Sequence, residues 1–232
     1  MGIATVEFRC DSLNRTTEFR AYIPDDLAPG QKLKTLYLLH GANGCNSDWL
    51  NYTRIALWAR QRNLAVIMPN GENSFYVDEK EGRSFYSKYI CEDLLNYTRN
   101  LFPLSDKRED TFICGISMGG YGAAALGLHY TEIYAKIALF SPALEADTLL
   151  LNAPEGIMPP GLFPALFGNR EAYASSPRLN PFRGVRDALD SGRMLPGVWM
   201  CCGEEDLIPA DAISILSSSM MQPKLLLFSS PV

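Results

Sequence analysis

The sequence predicts a single α/β domain, spanning residues 1–232, built around a mostly parallel central β-sheet. Short apolar runs alternate with longer mixed segments of helical character, which is typical of βαβ units. The apolar runs are continuous, as expected for strands buried on both faces, so we expect helices on both faces of the sheet. A chain of 232 residues, 47% of them hydrophobic, is long enough for one such domain with a sizeable core.

The predicted elements begin with a β-hairpin and continue with alternating strands and helices. Hydrophobicity and turn residues place them as follows. The hairpin has strands at 4–9 and 17–23, with Asn14 in the turn; then come a strand at 33–40, a helical segment at 48–62, a strand at 64–69 and a helix at 88–102. Further strands are predicted at 110–115, 137–142 and 197–203, with a weaker candidate at 224–228.

Residues 146–186 interrupt this alternation. The stretch contains six prolines and several glycines and serines. It resembles an insertion at the carboxyl edge of the sheet, where a substrate lid would lie, but the same composition fits a long surface loop. The sequence leaves both interpretations open.

Composition excludes several classes of function. The net charge is −5 and the pI about 5.1, so we expect no nucleic-acid partner. No apolar run approaches the roughly 20 residues that span a bilayer, and the N-terminus lacks a signal-peptide pattern, so we expect a cytoplasmic protein with no membrane partner. The six cysteines include no C-x-x-C pair, and we expect small buried thiols, no metal site and no organic cofactor.

The strongest chemical signal is the segment Gly115-Ile116-Ser117-Met118-Gly119-Gly120. It fits G-x-S-x-G, in which small residues on either side of a serine allow a sharp turn from a strand into a helix. A predicted strand precedes it, and a helix rich in small residues follows. The pattern therefore predicts that Ser117 is a catalytic nucleophile at a helix N-terminus.

A serine nucleophile of this kind needs two N–H donors for the oxyanion that forms on the attacked carbonyl. The free N–H of Met118, at the start of the helix, is one candidate. The strand at 33–40 ends in a glycine-containing turn, His40-Gly41-Ala42-Asn43-Gly44, and Ala42 is the candidate for the second donor.

At this point the chain resembles the esterase family of α/β-hydrolases that includes esterase D (S-formylglutathione hydrolase), tributyrin esterases, and feruloyl or acetyl-xylan esterases. The tributyrin-esterase branch is the most similar, and the likeness spans roughly residues 1–208. It is carried by Leu38-Leu39-His40-Gly41, Met68-Pro69-Asn70-Gly71, Ser74-Phe75-Tyr76-Val77-Asp78, Glu92-Asp93-Leu94 and Gly115 to Ala123.

The resemblance implies the α/β-hydrolase fold and a serine carboxylesterase. Such an enzyme hydrolyses short-chain acyl esters of small molecules through an acyl-enzyme on Ser117. It also implies that Ala42 and Met118 form the oxyanion hole, as the residues themselves suggest. A homo-oligomer is compatible with the sequence.

A catalytic acid is expected after the strand at 197–203. In α/β-hydrolases the chain order is serine, acid, histidine, with the acid in a loop at the carboxyl end of a strand. Asp206 lies there and matches the G-x-x-D position of the family, so it would orient the catalytic histidine. Glu205 and Asp211 remain alternatives.

No histidine follows Asp206, although the resemblance implies one in a loop after a last strand. The two histidines of the chain are His40 and His129. His129 lies twelve residues beyond Ser117 on one predicted helix, roughly 18 Å away, which is too far for a base. His40 is left open as a structural residue or a substitute base.

Residues 207–232 are atypical of the family. They are rich in Ser, Met and Leu with a single basic residue, which indicates a truncated or altered C-terminus. The sequence thus predicts a serine esterase whose activity is impaired, with a non-catalytic hydrolase-fold binding protein as the alternative.

Overall fold

The computed structural model describes residues 2–79, 84–152 and 158–203. Within these ranges one sheet contains seven strands: β1 Gly2–Cys10, β2 Arg15–Ile23, β3 Lys34–Leu39, β4 Leu64–Pro69, β5 Thr111–Ile116, β6 Lys136–Phe140 and β7 Gly197–Cys201. Their spatial order is β1-β2-β4-β3-β5-β6-β7. β2 is antiparallel to both neighbours, and the other pairs are parallel, which confirms the mostly parallel sheet. The candidate strand at 224–228 lies outside the described residues.

Helices in the described ranges cover the sheet. They are α1 Asp48–Tyr52, α2 Ile55–Gln61, α3 Tyr86–Lys88, α4 Leu94–Leu101, α5 Met118–His129, α6 Ala146–Leu151, α7 Leu162–Phe167, α8 Arg170–Ser175 and α9 Pro181–Asp190. A π-helical turn, Tyr89–Asp93, joins α3 to α4. α5 packs against β3, β5 and β6, and α9 packs against α5, while α2 packs against β4.

The continuous apolar strands serve two cores, one on each face of the sheet. Along β3, Tyr37 and Leu39 belong to the larger core with α5, whereas Leu38 belongs to the smaller core with Ala59 of α2. Successive side chains of a strand point to opposite faces, so burial on both faces requires apolar residues at every position. The prediction of helices on both faces is confirmed.

The helical segment predicted at 48–62 is two helices. Thr53, between α1 and α2, is extended at φ −135° and ψ 175°. Its hydroxyl donates to the carbonyl oxygen of Trp49 and accepts from the N–H of Ile55 at 3.1 Å. A threonine side chain can satisfy backbone groups in this way in place of the helix, and the helix therefore breaks here.

Residues 146–186 are largely helical where the structure describes them. α6, α7, α8 and the first half of α9 occupy the stretch, and Phe163, Phe167 and Tyr173 are buried. The part within α9 packs against α5. The described part of the stretch therefore packs into the larger core through these buried aromatic side chains.

The cysteines differ in part from the expectation of buried thiols. Those in the described ranges are three buried residues (Cys10, Cys91, Cys114), two half-buried ones (Cys201, Cys202) and one exposed one (Cys45). Cys45 is exposed because it lies in the surface turn that leads into α1, where its N–H donates to Asp48 Oδ2 at 3.1 Å. No helix of the described chain has the length and apolar character needed to cross a membrane.

Candidate active site

The connection from β5 to α5 places Ser117 at the sharp turn that the motif predicts. Ser117 has φ +54° and ψ −116°, a positive-φ conformation that costs energy for a residue with a side chain. Three backbone hydrogen bonds hold it. Its N–H donates to Phe140 O at 3.0 Å, and its carbonyl oxygen accepts from Tyr121 at 2.9 Å and Ala143 at 3.1 Å. Such strain persists only where the surroundings impose it, and it is typical of a functional position.

The glycines of the motif allow the backbones to approach closely. A Cβ at Gly115 would lie 2.2 Å from the carbonyl oxygen of Gly119. A Cβ at Gly119 would lie 2.5 Å from the carbonyl oxygens of both Leu39 and His40, at the end of β3. Because real Cβ atoms do not approach so closely, only glycine lets the first turn of α5 lie against the end of β3.

This packing brings residues 40–44, hereafter the 40–44 turn, next to the serine. A Cβ built on Gly41 would be 3.6 Å from the Cβ of Ser117. Ala42 is the next residue, and it is half-buried. Met118 is the first residue of α5, so its N–H has no carbonyl partner four residues earlier within the helix. The structure thus gathers Ser117, Ala42 and Met118 in one region.

A second loop, residues 71–76, supports this turn, and the sequence did not reveal its role. The N–H of Gly71 donates to His40 Nε2 at 2.8 Å, and the hydroxyl of Tyr76 donates to His40 O at 3.1 Å. The N–H of Asn43 donates to Asn73 Oδ1 at 2.8 Å, and Asn73 Nδ2 donates to Asn43 Oδ1 at 3.0 Å. The available signal was the Asn-Gly pair after β4, which indicates a turn but not its partners.

His40 is buried, and both nitrogens of its ring are occupied. Nδ1 lies 2.7 Å from Gly41 O, and Nε2 faces the N–H of Gly71. Nε2 must therefore accept and Nδ1 must donate, which defines a neutral tautomer without a free lone pair. Burial lowers the pKa of His40, which favours this neutral form, although the nearby Asp48 carboxylate acts in the opposite direction. This geometry favours the structural role for His40.

Of the remaining site candidates, His129 lies apart from Ser117. His129 is the last residue of α5, and its half-buried ring meets Tyr130 edge-on with centroids 4.9 Å apart. Twelve residues of helix place it roughly 18 Å from Ser117. Asp206, and with it Glu205 and Asp211, lies outside the described residues. Within the described ranges no cluster of His, Cys, Asp or Glu side chains has the form of a metal site.

The burial of His40 and the partial burial of His129 predict that the protein loses stability at mildly acidic pH. Burial lowers the folded-state pKa of His40 and of His129, so the unfolded chain binds these protons more readily. The contribution is therefore complete above the ordinary histidine pKa of about 6.5 and decreases as the pH falls below it. Urea unfolding between about pH 7.5 and 5.5 should show this decrease, and a His40→Asn/His129→Gln double variant should show less of it. Equal pH slopes for the two proteins would contradict the assignment.

The sequence matches a family model described as "Putative esterase" over residues 10–206. The acetyl esterase of Caldicellulosiruptor saccharolyticus is 33% identical over 234 residues, which cover 90% of this chain and 82% of the relative. FphF, a fluorophosphonate-binding serine hydrolase of Staphylococcus aureus, superposes with a TM-score of 0.88 at 26% identity, covering all of this chain and 91% of its own. The S-formylglutathione hydrolase FrmB of the same organism gives a TM-score of 0.86 at 27% identity, with 100% and 92% coverage.

Proposed function

This chain belongs to the Esterase family of carboxylic ester hydrolases with the α/β-hydrolase fold, and from that premise we propose that it hydrolyses short-chain acyl esters through an acyl-enzyme on Ser117. The observation that carries the proposal is the strained turn at Ser117, packed directly against the 40–44 turn. A serine so placed can attack a carbonyl carbon while N–H donors beside it bind the carbonyl oxygen.

The proposed reaction follows from these positions. Ser117 Oγ forms a bond to the carbonyl carbon, its proton passes to a base, and the carbonyl π electrons move to the oxygen. The N–H groups of Ala42 and Met118 donate to that oxyanion. Collapse of the tetrahedral intermediate releases the alcohol, which takes up the proton, and leaves an acyl group on Ser117. Water then attacks the acyl-enzyme by the same route and releases the carboxylic acid.

The base in this scheme is neither of the two histidines in the chain. His40 has no free nitrogen, and His129 is too distant. We propose that Asp206 is the triad acid, and that in the 232-residue chain, where no histidine follows it, water takes the Ser117 proton and catalysis is only slow. Binding and an oxyanion hole without a complete triad still give about 10³–10⁴-fold over water.

The preference for short acyl chains is supported by the segment 146–186, which we propose acts as a lid. The Phe167 ring of α7 packs edge-on against Tyr121, with centroids 5.7 Å apart, and Tyr121 lies one helical turn beyond Ser117. The ring of Phe75, from the 71–76 loop, contacts both. These rings pack the segment against α5, which begins directly after Ser117, and so support a covering role for it near the serine. The relatives named for acetyl and formyl groups also act on very small acyl groups.

The experiment that tests the proposal compares p-nitrophenyl acetate, butyrate and octanoate as substrates. Turnover should be slow, should fall as the acyl chain lengthens, and should lose its serine-dependent part in Ser117→Ala, because that hydroxyl forms the acyl-enzyme. A fluorophosphonate probe should add its mass to Ser117 alone, and slowly, because the hydroxyl lacks its base. Ser191→Ala is the matched control, since Ser191 is exposed at the end of α9. Equal turnover in Ser117→Ala would exclude the proposed nucleophile, and an inert, unlabelled parent chain would favour the binding-protein alternative.

A further inference from the structure

The side chain of Asn73 forms two hydrogen bonds with Asn43 of the 40–44 turn. We propose that Asn73 is a positioning residue for ester hydrolysis: by holding Asn43 it directs the N–H of Ala42 toward the carbonyl oxygen of the ester. The inference rests on the proposed function, because it assigns Asn73 a role in the oxyanion hole proposed above. Asn73 itself does not contact the substrate in this scheme.

The direction of the Ala42 N–H is set by the peptide plane that it shares with the carbonyl of Gly41. In a trans peptide the C=O and N–H groups point in opposite directions. The Gly41 oxygen faces His40 Nδ1 at 2.7 Å and the N–H of Gly44 at 3.2 Å. Because these two partners hold the Gly41 oxygen at one edge of the peptide plane, the N–H of Ala42 points outward from the opposite edge.

The next peptide plane, between Ala42 and Asn43, is held by Asn73. Its Oδ1 accepts the N–H of Asn43 at 2.8 Å, and its Nδ2 donates to Asn43 Oδ1 at 3.0 Å. Asn43 has φ +60°, a left-handed conformation that few residues other than Gly and Asn adopt readily. Two hydrogen bonds from one side chain therefore fix both the backbone and the side chain of Asn43. Asn43 must keep this conformation for the N–H of Gly44 to reach Gly41 O. By holding Asn43, the side chain of Asn73 therefore preserves the hydrogen bond that holds the Gly41–Ala42 plane.

This pair is well suited to positioning and contributes little to the core. Asn43 is exposed and Asn73 is half-buried, so loss of their hydrogen bonds leaves no buried polar group unsatisfied. The other contacts of the 71–76 loop with the turn, from Gly71 and Tyr76, both go to His40. The two hydrogen bonds of Asn73 reach the turn beyond Ala42, at Asn43.

The test uses the 232-residue chain and p-nitrophenyl acetate, with the Ser117→Ala rate subtracted. Asn73→Ala should lower kcat roughly ten-fold with little change in KM, because an oxyanion contact strengthens in the transition state. Amide hydrogen exchange should become faster at Asn43 and Gly44. Asn43→Gly should keep most of the rate, since glycine accepts a positive φ and its N–H can still donate to Asn73.

The matched control is Asn51→Ala. Asn51 is an exposed asparagine of α1 whose side chain donates to Ser47 Oγ at 3.2 Å, outside the 40–44 turn. It should change neither kcat nor exchange in the turn. An unchanged kcat in Asn73→Ala, in a parent chain with Ser117-dependent turnover, overturns this inference and leaves the proposed function standing. Absence of any Ser117-dependent turnover in the parent chain overturns both.

Discussion

A chimera of residues 1–206 with the terminal strand, histidine loop and helix of a related esterase is expected to hydrolyse p-nitrophenyl acetate at least about 10³-fold faster than the 232-residue chain. The expected gain is large because the serine hydroxyl is a weak nucleophile until a base takes its proton. The same base must return the proton to the leaving alcohol, and it repeats both transfers when water attacks the acyl-enzyme.

The control for this chimera differs from it by one residue. Replacing the grafted histidine with alanine leaves the added strand and helix in place, so a gain due to stability or folding would survive the change. A gain due to the base would be lost. Ser117→Ala in the intact chimera should abolish the gain as well, because the two residues act as a unit.

A different result would show that a base has been missed. If the 232-residue chain already turned over as fast as the chimera, in a manner abolished by Ser117→Ala, then His40→Asn is the next variant to measure. His40 could act only if its ring gave up the hydrogen bond from Gly71. The 40–44 turn would then have to rearrange, and amide exchange at Gly71 would report it.

Much of the fold follows from the sequence because its strands are buried on both faces. β4, LAVIMP, reads as continuously apolar, and five of its six residues are buried. The turn at Ser117 was equally readable, since G-x-S-x-G between a strand and a helix has few other uses. These features depend on local composition, which a single sequence displays directly.

Other features depend on contacts between distant residues, which one sequence does not display. Asn43 and Asn73 are thirty positions apart, and asparagine is a common turn residue, so nothing marked them as a pair. The break at Thr53 escaped prediction because its neighbours carry a helical pattern that one side chain overrides. The helices within 146–186 were not predicted because the stretch is rich in proline, which usually breaks helices. Several of these prolines lie at helix starts or between helices, where proline is tolerated.

Gly119 contributes both to the packing of α5 on β3 and to the position of Ser117. Gly119→Ala is therefore expected to lower both the stability and the activity. A Cβ there would lie 2.5 Å from the carbonyl oxygens of Leu39 and His40, and these are backbone atoms that cannot rotate away. Relief requires α5 to shift away from β3, which we expect to lower the free energy of unfolding by at least about 2–3 kcal/mol. The same shift separates Ser117 from the 40–44 turn. A displacement of about 1 Å can cost on the order of 10²-fold in rate.

Gly127→Ala provides a control for Gly119→Ala within the same helix. A Cβ at Gly127 would meet side-chain atoms only, Cδ1 and Cγ1 of Ile137 at 2.6 and 2.7 Å and Cγ2 of Ile113 at 3.3 Å, so relief needs a side-chain adjustment and no shift of backbone. Alanine also favours a helix over glycine by about 1 kcal/mol, which offsets part of the crowding in both variants. Urea unfolding and kcat/KM in the histidine-containing chimera should therefore show a small change for Gly127→Ala and a large one for Gly119→Ala. If both variants lost similar stability while Gly119→Ala kept its rate, the first turn of α5 would not need its close approach to β3 for catalysis.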